Sequence, residues 1–131
     1  MKLREVMHTH IPTLTPKSTV RDAVDKMDIY QFPALVVLND DLLPLAVVTE
    51  GDLCRAVTMA DSLVSIANSP AIHYGTSTPT TLPADHEIGE AFYIMLNSHL
   101  TVAPVMDGNQ MTGIVLRVDL MQALLTDADG G

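Results

Sequence analysis

Apolar residues recur with a helical period after Thr19, where Val20, Ala23, Val24 and Met27 fall at i, i+3, i+4 and i+7. That spacing predicts an amphipathic helix over Thr19–Tyr30 with one apolar stripe. Thr19 followed by Asp22 supplies a capping-box start. Two β-rich runs come next, ALVVL at 34–38 and LPLAVV at 43–48, parted by Asn39-Asp40-Asp41. Alternating runs parted by turn residues predict a hairpin, and a second helix is expected over Glu50–Met59. The pattern then begins again. Ile88, Ala91, Phe92 and Met95 form a second stripe, TVAPVM and MTGIVL flank Asp107-Gly108-Asn109, and a last helix is expected over Val118–Leu125.

The recurrence is a repeat of residues as well as of pattern. Pro12-Thr13, Pro16, Val20, Ala23, Met27, Asp40, Val48, Asp52, Leu53 and Ala56 match Pro79-Thr80, Pro83, Ile88, Ala91, Met95, Asp107, Val115, Asp119, Leu120 and Ala123, at a spacing of 67 or 68 residues. A repeat decides architecture before any single motif does. The chain therefore reads as an α+β protein of two β-α-β-β-α repeats. A half of roughly 60 residues is marginal alone, so the two are expected to pack about a pseudo-twofold axis. Residues 1–60 are assigned to the first repeat with the lead helix LREVM at 3–7, and 61–131 to the second, with DSLVSIA at 61–67 as the matching lead. SPAIHYGTSTP at 69–79 reads as a loop or linker, and the polar tail TDADGG is expected to fray.

Charge narrows the function classes. The chain has 131 residues and a net charge of -9, yet five of its seven basic residues (Lys2, Arg4, Lys17, Arg21, Lys26) lie in the first 26, against Glu5, Asp22 and Asp25. Beyond them only Arg55 and Arg117 face thirteen acids. Such a surface opposes non-specific nucleic-acid binding and attraction to an anionic membrane. The apolar runs are too short to span a bilayer, and MKLREVM has no apolar leader, so a cytoplasmic protein is expected. The single Cys54 fits a reducing compartment and is expected in the core. Met27, Met95 and Met121 read as core filling or a pliable dimer interface. His8, His10, His73, His86 and His99 have no metal-ligand spacing and read as scattered surface residues. No nucleophile-elbow or phosphate-loop motif occurs, which argues against an enzyme.

The opening IPTLTP with STVRDAVDKM, the hairpin and the closing AVVTEGDL at 46–53, matched by TPTTLP, EIGEAFYIM and APVMDGNQMTGIVLRVDL, resemble a tandem cystathionine-β-synthase (CBS) domain pair. The resemblance covers about Leu3 to Leu125. It implies a regulatory module rather than a catalyst, one that forms a homodimer, binds AMP, ADP, ATP or S-adenosylmethionine between its repeats and acts on a protein partner. No obligatory cofactor is implied. In that family the closing Ser/Thr-x-x-Asp binds the ribose and phosphate, which carries over to Thr49 and Asp52. In the second copy Asp119 is present, but Leu116 replaces the hydroxyl residue; in the first, Ala46 stands where the second has Gly113.

The chemistry is compatible with this. A carboxylate can accept two hydrogen bonds from a cis-diol, while a helix N-terminus offers free N–H groups to a phosphate. Thr13 and Thr80 are candidate edge contacts for a base, Arg55 and Arg117 candidate phosphate partners, and Lys2 and Arg4 weaker ones. Thr49-x-x-Asp52 is also an ordinary helix cap, and both roles can coexist. The alternative function is a ligand-independent dimerisation or interaction module with degenerate sites.

Overall fold

The computed structural model describes residues 1–130. It divides into two compact units, Pro12–Pro79 and Met1–Ile11 with Thr80–Gly131.

In Pro12–Pro79 the strand β1 (Thr13–Leu14) leads through the helix α1 (Val20–Tyr30) to β2 (Ala34–Leu38), which lies parallel to it. The expected hairpin forms as β2 against β3 (Pro44–Thr49), and α2 (Glu50–Met59) begins at once. Thr19 caps α1: its hydroxyl accepts from the Asp22 N–H, and the Asp22 carboxylate accepts from the Thr19 N–H. The Thr19 N–H foremost, and then the Thr19 side chain, hold the Asp22 carboxyl below its usual range. A short helix α3 (Leu63–Ala67), a 3-10 turn at Ala71–Tyr74 and β4 (Thr76–Ser77) complete the unit, with strand order β1-β2-β3-β4. The segment 69–79 is thus structured, not a loop, because β4 satisfies its backbone groups on the open edge of β3. Leu14, Val20, Ala23, Leu35, Val37, Val48 and Leu53 form the core. Val24, expected on the stripe, is exposed, because only one side of α1 meets the sheet.

The other unit repeats the plan with β5 (Leu82–Pro83), α4 (Ile88–Asn97), β6 (Val102–Asp107), β7 (Gln110–Leu116) and α5 (Arg117–Gly130). β5 is parallel to β6, and β6 antiparallel to β7. Its core holds Leu3, Leu82, Ile88, Ala91, Met95, Val105, Val115 and Leu120. Met121, by contrast, is exposed. α5 takes in Thr126–Gly130 of the tail expected to fray, since no proline interrupts it before the glycines; Gly131 lies outside the described residues.

The chain's opening residues belong to this unit. Leu3 N–H donates to His86 O, as Ala71 N–H does to Ser18 O, and Ile88 N–H donates to Met1 O, as Val20 N–H does to Ser69 O. Met1–His8 is therefore the counterpart of Ser69–Thr76, not of 61–67. Each lead segment packs with the repeat that does not come after it in the chain, so the compact units differ from a division at residue 60. Arg4 fixes the lead by donating to Asp85 Oδ1 at 2.6 Å. This bond and the attraction behind it hold the Asp85 carboxyl below its usual range.

Candidate ligand site

The turn from β3 into α2 places the two predicted motif residues. Thr49 ends β3 and caps α2, accepting at its hydroxyl from the Asp52 N–H at 3.2 Å. Asp52 Oδ2 accepts the Thr49 N–H at 2.9 Å, and Oδ1 accepts from Arg55 Nη2 at 2.7 Å. The capping reading thus holds at this site, and both carboxylate oxygens are engaged. They are engaged unequally. The backbone bond is part of the helix start, whereas the Arg55 side chain is 71 % exposed and that of Asp52 only 15 %. An exposed ion pair contributes little, so Arg55 can turn to a phosphate and release Oδ1 to a hydroxyl.

Beside this pair is a cavity of about 460 Å3 lined by Asp52, Arg55, Ala56, Met59, Ile66 and Tyr74. Ile66 and Tyr74 carry no motif signal. They lie on α3 and the 3-10 turn, and only the edge pairing of β4 reveals that this stretch folds back against α2. A larger cleft of about 790 Å3 runs between the end of α1 and α2, lined by Val24, Met27, Leu53, Cys54 and Val57. Its charged walls are Asp28 and Glu50, with no basic group, which repels phosphate. The smaller cavity is the better ligand candidate. Cys54 faces that cleft and is exposed, not buried as expected, because Leu53 takes the inward position on α2.

The remaining candidates lie on other elements of the two units. Thr13 lies in β1, with its carbonyl accepting from Lys26 Nζ at 2.6 Å. Thr80 is exposed and precedes β5. Arg117 opens α5, and its N–H donates to Thr101 O. Lys2 pairs with Glu87 through the backbone, and Arg4 is committed to Asp85. In the second repeat Leu116 offers no side-chain acceptor, and Asp119 meets His8: Nε2 lies 2.6 Å from Oδ2. His8 is therefore no free surface residue. Nor is His86, whose Nδ1 is buried with no hydrogen-bond partner among the described residues. Among those residues no three His, Cys, Asp or Glu side chains gather as a metal site.

The departure at Ala46 has a structural reason. Where β7 meets the first lead, Gly113 lies against His8; a Cβ there would stand 2.6 Å from the His8 carbonyl oxygen. Where β3 meets the second lead, the glycine is on the other strand, Gly75, with a Cβ position 2.6 Å from Val47 O. One glycine per crossing suffices, so Ala46 is tolerated.

The model of the CBS domain matches residues 3–58 and again 72–126. The chain belongs to the CBS-domain family. Its two CBS repeats account for nearly all of the described fold. Among solved structures it is similar to the CBS-pair protein CBSX2 from Arabidopsis thaliana, with a TM-score of 0.83 at 20% identity over 98% of this chain and 96% of that one. CBSX2 has also been solved in complex with AMP, with a TM-score of 0.84 at 20% identity, covering 97% of this chain and 98% of that one. Another CBS domain pair, solved with 5′-methylthioadenosine and S-adenosyl-L-methionine, gives a TM-score of 0.80 at 14% identity over 97% of this chain and 98% of that one. Among curated sequences the chain is 26% identical over 125 residues to the arabinose 5-phosphate isomerase KdsD of Yersinia pestis, covering 94% of this chain but only 37% of that enzyme. It is 28% identical to an uncharacterised 17.7 kDa protein of Acidianus ambivalens, covering 95% of this chain and 73% of the other. The CBS pair thus spans about a third of the isomerase. No helix among the described residues is long and apolar enough to cross a membrane.

Proposed function

We propose that this CBS pair is a regulatory module without catalytic activity, binding an adenosyl ligand at Thr49 and Asp52 and relaying occupancy to a protein partner. The carrying observation is the Asp52 carboxylate: nearly buried, fixed by its own helix cap on one oxygen, and held on the other only by an exposed arginine beside a cavity. A ribose cis-diol would replace Arg55 on Oδ1, and Arg55 with the N-terminus of α2 would face a phosphate. The shortage of basic groups favours a ligand with few phosphates or none. Relatives that bind AMP, or S-adenosyl-L-methionine and 5′-methylthioadenosine, support this choice. Signalling would be a population shift set by differential affinity for two states.

The exposed Val24 and Val57, which line the acidic cleft, support a second role for the same unit, homodimerisation through α1 and α2. Dimerisation without ligand is the alternative reading, favoured by Leu116 in place of a hydroxyl residue. A thermal-shift panel of AMP, ADP, ATP, NAD and S-adenosylmethionine separates the two. A true ligand at 100 times its Kd should stabilise the fold by about 2.7 kcal/mol, and Asp52→Ala should lose that shift while keeping the dimer. Asp22→Ala, which breaks the equivalent cap on α1, controls for lost capping. No shift with any of the five compounds would leave only the interaction reading.

A further inference from the structure

The motif carboxylate of the second repeat is already engaged by the protein itself. Asp119 Oδ2 lies 2.6 Å from His8 Nε2, with side chains 28 % and 41 % exposed respectively. A carboxylate only accepts, so Nε2 carries the proton and donates a charge-assisted hydrogen bond. The imidazole is held there by its backbone. His8 N–H donates to Ile114 O at 2.8 Å, Ile114 N–H donates to His8 O at 3.0 Å, and Gly113 permits the close approach. The first repeat lacks this arrangement. Thr76 occupies the equivalent lead position, pairing with Val47 as His8 pairs with Ile114, and Asp52 meets an exposed arginine of its own helix.

We infer that His8 is a built-in stopper of the second-repeat site. Its imidazole N–H holds Asp119 Oδ2 from a residue pinned by two backbone hydrogen bonds, whereas Asp52 Oδ1 is held only by an exposed arginine side chain, so the chain takes one adenosyl ligand, at Asp52, and excludes a second at Asp119. This rests on the reading of both carboxylates as diol acceptors. A hydroxyl that must displace this part-buried, backbone-anchored donor binds about tenfold more weakly, which separates a filled site from an empty one at ordinary titration concentrations.

Calorimetric titration of the whole chain with AMP tests it, with circular-dichroism melts confirming that each variant folds. Wild type should bind one AMP per chain and His8→Ala two, the added event vanishing in His8→Ala/Asp119→Asn. His8→Gln, which keeps a side-chain N–H at similar reach, should stay at one; a merely structural role for His8 would not produce that rescue. Two events in wild type, or no added event in His8→Ala, overturns the stopper. Failure of the first-site reading looks different: Asp52→Ala would leave the wild-type event untouched, while an event gained in His8→Ala and lost with Asp119→Asn would still uphold the stopper.

Discussion

A methyl group added at Gly113 would stand 2.6 Å from a backbone oxygen and 3.0 Å from the Met7 sulfur, whereas one added at Gly89 meets nothing within 4 Å. The same substitution should therefore act in opposite directions. Gly113→Ala must part β7 from the lead and is expected to cost about 1–3 kcal/mol. Gly89→Ala, within the first turn of α4, removes unfolded-state freedom and should add roughly 0.4–1 kcal/mol. Chemical denaturation of the two variants measures both; equal signs would refute the close-approach account. At this scale the sequence was partly legible. Thr49, Asp52 and Asp22 sit within one helical turn of their partners, so spacing alone locates their bonds. His8 and Asp119 are 111 residues apart, and no local spacing can announce that pair.

The helix stops recur as faithfully as the starts. Gln31 after α1 has φ 53° and His99 after α4 has φ 56°, both left-handed. The next residue closes each helix in the same way: Phe32 N–H donates to Met27 O and Leu100 N–H to Met95 O, the six-to-one bond of a Schellman ending. A left-handed conformation strains any residue with a Cβ, so Gln31→Gly and His99→Gly should each raise stability, by up to about 1 kcal/mol, in thermal melts; a loss in both would refute the strain. Neither stop was visible in the sequence, because the usual marker, glycine, is absent from both. β2 and α2 were legible to the residue, and β3, β6 and β7 to within one, since their apolar runs are bounded by turn residues or by Thr49. α3 and the 3-10 turn were not, because short segments carry too few residues for a period to register.

At the level of the whole chain the duplication was plain, and the assignment of the leads was not. Sequence proximity attaches Met1–Ile11 to the adjoining first repeat; packing attaches it to Thr80–Gly131. The fully buried Leu3 sits in that unit's core. Leu3→Ala should cost about 2–5 kcal/mol, with hydrogen-exchange protection lost most from the amides of Thr80–Gly130. Greater loss within Pro12–Pro79 would contradict the observed packing.

The exchange of leads also sets an order of events during synthesis. Pro12–Pro79 contains both its own repeat and its lead-like segment, so it can close as soon as its last residues leave the ribosome. Met1–Ile11, made before it, has no partner until the hairpin of the second repeat emerges. At roughly 5–20 residues per second that interval lasts several seconds, during which the apolar side chains of Leu3 and Val6 remain uncovered and available to chaperones.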